Sequence, residues 1–217
     1  MKRTLGIVAA LSALGALPLM AHADNRQGWY GSLTGGISSY GNSQDDEDDL
    51  ENQLAQEGIT AHAHVDDNPG AIGLGIGFHF NENFALEADW IDLGQATADI
   101  HAFAPTQFFI HQTAEAQGLT VDAYGLIPVS RSVSLFGKVG VFNYNLDEHL
   151  SSDVPLPPPT DFSSNGTTWD IGIGAEIHFT PTVGMRAGYT SYRKVGDPNT
   201  TGRENIGLGY AQVYINF

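Results

Sequence analysis

Apolar and polar residues alternate one by one along most of this chain, the period of strands whose two faces meet different surroundings. The alternation predicts eight strands, at about 29–38, 71–80, 84–93, 119–129, 133–144, 167–179 and 183–192, with a last one ending at Phe217. Short breaks and long ones take turns between them. The short ones are Asn81-Glu82-Asn83, Ser130-Arg131-Ser132 and Thr180-Pro181-Thr182. The long ones cover about 39–69, 94–117, 145–166 and 193–204.

The two faces differ in kind. One carries Ile72, Leu74, Ile76, Phe78 and Phe80, then Leu86 and Ala88, Leu135, Val139 and Val141, Ile171, Ile173, Ala175 and Ile177, and Val183, Met185 and Ala187. The other carries Gly73, Gly75, Gly77, His79, Glu87, Asp89, Asp122, Lys138, Asp170, Glu176, His178 and Arg186. Within the strands every ionisable residue except Asp92 falls on this second face. A soluble barrel turns its apolar face inward, whereas a membrane-spanning barrel turns it to lipid and keeps a polar lumen. The expected fold is therefore all-β: an eight-stranded antiparallel up-and-down transmembrane β-barrel with four long extracellular loops and three short periplasmic turns.

Aromatics on the apolar face group by height. Phe80, Phe84, Phe179 and Phe217 lie near the short turns or the terminus; Trp90, Trp169 and Tyr189 lie toward the long connections. From Trp169 to Phe179 an extended chain covers about 33 Å, or about 25 Å of height at a tilt of ~40°, the thickness of a barrel's apolar band. These seven are expected at the lipid interfaces.

The amino-terminus reads as an export signal. Lys2 and Arg3 precede an apolar run from Leu5 to Met20, and Ala21-His22-Ala23 has the small-residue pattern of a cleavage site. Residues 1–23 are the expected cleaved signal peptide and 24–217 the barrel domain. No other stretch approaches the ~18 continuous apolar residues of a membrane-spanning helix. Without cysteine there is neither a disulfide framework nor a lipid-anchored Cys. The formal charge is −16, and no Lys or Arg occurs between Arg26 and Arg131, which argues against nucleic acid as a partner.

In a tight antiparallel hairpin, opposed residues have a constant index sum. A turn centred on Pro181 sets Glu176 against Arg186; one centred on Ser130 sets Asp122 against Lys138. We expect both as structural ion pairs inside the lumen. Other candidates lie in the connections. The first holds Asp45, Asp46, Glu47, Asp48, Asp49, Glu51, Glu57, Asp66 and Asp67 with no base, suited to a mobile solvated loop or to loose sharing of divalent cations. The spaced ligands and turn glycine of a dedicated Ca²⁺ loop are missing. His62 and His64, with Asp66 and either His101 or His111, have the residue types of a zinc site. His149-Leu150-Ser151, with Asp147 or Glu148, superficially matches the pairing used by small barrels that modify lipid A. Sparse loop histidines and a His two residues from a Ser arise readily by chance, so no catalytic, cofactor or metal site is expected.

The segment Pro128-Val129-Ser130-Arg131-Ser132-Val133-Ser134-Leu135-Phe136-Gly137-Lys138-Val139-Gly140, the run Arg186-Ala187-Gly188-Tyr189 continuing to Lys194-Val195-Gly196-Asp197, and the closing strand resemble the OmpA-like family of eight-stranded outer-membrane barrels. The resemblance covers about 29–217. It implies a monomeric barrel with a side-chain-filled lumen in the Gram-negative outer membrane, surrounded by lipid and lipopolysaccharide. Roles in such a family are envelope integrity, adhesion and surface recognition; a small porin is the alternative. Phe217 and the alternation before it resemble the signal read by the outer-membrane assembly machinery, although Gln212 stands where that signal usually has Gly. The peptidoglycan-binding domain of longer relatives is not expected here.

Overall fold

The computed structural model describes residues 27–41, 51–52, 54–56, 58–104, 107–154, 160–198 and 200–217. The expected signal peptide, the acids Asp45, Asp46, Glu47, Asp48, Asp49 and Glu57, and the proline run after Val154 lie outside the described residues. Nine strands are present among those described: β1 (Gly28–Ser39), β2 (Thr60–Asp66), β3 (Gly70–Asn81), β4 (Phe84–Ala104), β5 (Phe108–Pro128), β6 (Val133–Ser152), β7 (Asp161–His178), β8 (Val183–Val195) and β9 (Glu204–Asn216). Eight of them form a closed antiparallel ring, which β9 completes by pairing with β1 through Leu33↔Val213 and its neighbours. Closure removes the open sheet edges that would otherwise leave backbone N–H and C=O groups unpaired in lipid.

β2 stands apart from the ring. It pairs with the outer half of β4, Val65 opposite Ala98, within what the sequence reads as a loop. The second and third long connections are also largely strand. β4 and β5 remain paired as far as Ala102↔Phe108, and β6 and β7 as far as His149↔Asp161. The barrel therefore projects a wall of sheet beyond the strand lengths that the alternation predicts. The regular alternation breaks where β4 bulges between Asp92 and Gln95. There Gly94 takes φ +75°, its N–H donating to Asp92 Oδ1 at 2.8 Å, and a Cβ at this position would meet Gly70 O at 2.4 Å. Such a bulge inserts a residue and exchanges the two faces of the strand. Below it Glu87, Asp89 and Ile91 point inward; above it Ala96 does.

The faces follow the alternation. Leu74, Ile173 and Phe217 are outward and 64%, 69% and 78% exposed, while Tyr30, Phe142 and Tyr214 are buried within the ring. A contiguous apolar belt of this extent exceeds the patches that water-facing monomers carry. Hairpin turns set the register. Phe179 N–H and Thr180 N–H both donate to Val183 O, at 3.0 and 3.1 Å, and Val129 and Ser130 do the same to Val133 O at 2.9 and 3.0 Å. The first turn is centred on Pro181, and Glu176 opposes Arg186 as expected. The second is centred on Arg131 rather than Ser130, so Asp122 opposes Gly140 and Lys138 opposes Tyr124. The expected register was displaced because the closing hydrogen bond joins Val129 to Val133, which puts Arg131 at the midpoint.

Glycine on the inner face of β3 makes room for rings. A Cβ on Gly77 would lie 2.2 Å from Tyr30 Cζ. Gly77→Ala is expected to lower stability by about 1–3 kcal/mol, the usual cost of overpacking a filled interior, read from urea unfolding in lipid vesicles.

Candidate functional site

Arg186, on β8, is fully buried at the centre of the lower lumen. Its Nε donates to Glu176 Oε2 at 2.7 Å and its Nη1 to Glu87 Oε2 at 2.7 Å. Nη1 also donates to Tyr30 Oη at 3.2 Å and Gln212 Oε1 at 3.1 Å. The guanidinium lies 4.5 Å from the ring centre of Tyr124, 4.8 Å from Tyr214 and 5.0 Å from Tyr30. A planar, always-charged fork suits this dense arrangement better than an ammonium would. Both carboxylates have further partners: Gln212 Nε2 donates to Glu87 Oε1 at 2.7 Å, and His178 Nε2 meets Glu176 Oε1 at 2.8 Å.

One level higher, Lys138 Nζ contacts Asp122 Oδ2 at 2.9 Å and Asp170 Oδ1 at 3.8 Å. The Asp122–Lys138 contact thus forms along the diagonal rather than between opposed residues. Gly140, opposite Asp122, leaves the space, since a Cβ there would meet Asp122 Oδ1 at 2.1 Å. Between the two levels a cavity of about 20 Å³ is lined by Thr34, Glu87, Asp89, Tyr124, Lys138, Tyr210 and Gln212 among others. That is room for about one water molecule.

Above the charged levels the barrel widens into a vestibule of about 460 Å³. Tyr40, Leu146, Val195 and Ile206, all buried, form apolar parts of its lining, and Val65, Ala96, Ala98 and Ala114 add small apolar surfaces. Tyr40 is fixed by donating to Gly94 O at 2.7 Å and accepting from Ala116 N–H at 3.1 Å. Asp67, Glu148 and Glu204 bring three carboxylates, and no Lys or Arg is among the described lining residues. Burial, and secondarily the nearby charge of Glu204, hold the Glu148 carboxyl above its usual range. The sequence reading missed this site, although the inward parity of β6 runs on through Tyr144, Leu146 and Glu148.

The outer membrane protein beta-barrel domain model matches residues 8–211. The chain belongs to that family. It is an outer-membrane barrel of the OmpA-like type, with β-strands crossing the Gram-negative outer membrane. Among solved structures, Neisserial surface protein A is 13% identical with a TM-score of 0.50, the match covering 87% of this chain and 97% of that one. The Yersinia pestis attachment invasion locus protein Ail, solved with the heparin analogue sucrose octasulfate, is 13% identical at a TM-score of 0.47, covering 87% and 99%. The N-terminal β-barrel domain of Pseudomonas aeruginosa OprF is 14% identical at 0.46, covering 88% and 98%. No curated protein matches the chain in sequence.

The sheet sets the histidine candidates side by side on the adjacent strands β2, β4 and β5. His62 opposes His101, and His64 opposes Asp99, in the wall that β2 forms with the outer half of β4. His111 Nδ1 lies 2.6 Å from Asp99 Oδ1, and His62 Nδ1 lies 3.4 Å from Glu51 Oε1. Among the described residues no three His, Asp or Glu side chains are arranged to hold a metal ion. His149 contacts Asp161 at 2.5 Å, neither Asp147 nor Glu148, and the hydroxyl of Ser151 donates to His111 O at 3.4 Å. The residues of the superficial His–Ser match are therefore directed elsewhere. Phe80, Phe84, Trp90, Trp169, Phe179, Tyr189 and Phe217 are all exposed on the outer face.

Proposed function

We propose that this protein is a sealed, non-catalytic barrel that stabilises the outer membrane and presents its extended sheet wall and acidic connections to surface partners. The filled lumen carries the reading: Arg186, Glu87, Glu176 and three tyrosines occupy the bore, and the space between the charged levels is about 20 Å³. Side chains that fill the bore of eight strands leave no continuous water path. In this reading the two ion networks are structural plugs, and the seven outward aromatics sit at the lipid interfaces among lipid and lipopolysaccharide. The acidic first connection shares divalent cations or meets a basic partner. Residues 1–23 direct export, and the closing strand is what the assembly machinery engages.

Planar-bilayer recording tests the seal. Purified protein is expected to give no steady unit conductance. Reproducible openings that scale with protein concentration would replace the sealed scaffold by a small porin.

A further inference from the structure

The vestibule is a second kind of site, beyond the surface role proposed above. A volume of about 460 Å³ falls within the ~300–1,000 Å³ typical of small-molecule pockets. Its chemistry is two-sided. Tyr40, Leu146, Val195 and Ile206 offer apolar surface, and the half-buried Glu148 offers charge. Among the described residues the Glu148 carboxylate has no side-chain hydrogen bond or ion pair, and Glu204 is near enough to repel it. A partly desolvated carboxylate beside a like charge gains from a cation, and an apolar floor gains from an apolar body. We propose that the vestibule binds organic amines: an ammonium group at Glu148 with an aromatic or aliphatic body on the Tyr40–Leu146–Ile206 floor.

Neutral and anionic compounds of similar shape lack the first interaction. An inorganic cation lacks the second. The lumen beneath is closed at Arg186 and Lys138, so the ligand is held rather than passed, yet the binding claim does not depend on the barrel's conductance.

The test is calorimetric titration of the whole barrel in zwitterionic-lipid nanodiscs, with empty nanodiscs subtracted. The probes are 2-phenylethylamine, 2-phenylethanol and phenylacetate, which share a ring and differ in charge. The amine is expected to bind and the other two to bind at least about tenfold more weakly, as loss of one charge-assisted contact implies. Glu148→Gln is expected to bring the amine down to the level of the alcohol. Ala114→Phe, which fills the vestibule from β5, is expected to weaken binding of all three. Both variants are first shown to migrate as folded barrels in unheated gels. Equal uptake of the three probes, no heat with the amine, or an unchanged amine affinity in folded Glu148→Gln would each overturn the proposal.

Discussion

Arg186→Leu is expected to lower the unfolding free energy of the barrel by about 3–5 kcal/mol, the usual cost of stranding one side of a buried ion pair. Leucine restores none of the donor bonds, and the carboxylates of Glu176 and Glu87 are left without their shared base. The rescue series distinguishes this from a packing defect. Adding Glu176→Leu is expected to recover part of the loss, because one stranded charge is gone. Recovery stays incomplete while Glu87 is ionised, even with Gln212 donating to it at 2.7 Å. A third change, Glu87→Gln, is expected to recover more. Urea unfolding in phospholipid vesicles reads the order: single variant least stable, double intermediate, triple most stable. If the single and double variants unfold at the same urea concentration, the charge argument fails and Arg186 matters for its volume alone.

That series needs a residue that hairpin arithmetic does not reach. Glu176 and Arg186 face each other across one turn, so their pairing is a property of local sequence. Glu87 lies on β4 and reaches Arg186 across the bore, a neighbour decided by how the closed sheet staggers rather than by any index sum. The same division separates the legible from the illegible elsewhere. Eight strands and their two faces were readable because lipid imposes a strict period of two on every crossing segment. Beyond the band both faces meet water or small side chains, the constraint lapses, and β2 and the outer parts of β4, β5, β6 and β7 read as loops. At Gly94 the period itself is interrupted, and the inward residues change from odd to even numbers. The Ser130 turn failed for a smaller reason: three polar residues in a row offer no sequence mark of which one is the midpoint, whereas Pro181 supplied one. The vestibule was illegible because its lining comes from seven separated stretches, each ordinary by itself.

The outward face gives the second large effect. Ile173 is 69% exposed on β7, between Trp169 toward the end with the long connections and Phe179 at the short turn. If this face meets hydrocarbon, Ile173→Arg places a cation near the midplane and is expected to cost about 2–4 kcal/mol of folding free energy in vesicles. The guanidinium can reach neither a headgroup nor a partner in the lumen without bending the strand. Phe179→Arg puts the same charge at the interface and is expected to cost only about 0–1 kcal/mol from the charge itself, since the long side chain extends into the headgroup region. A barrel with this face in water predicts the opposite: Ile173→Arg at a 69%-exposed position would fall within about ±0.5 kcal/mol. The depth dependence, rather than either value alone, is the signature of lipid. Equal costs at Ile173 and Phe179 would remove it, and with it the assignment of Trp169 and Phe179 to the two edges of the apolar band.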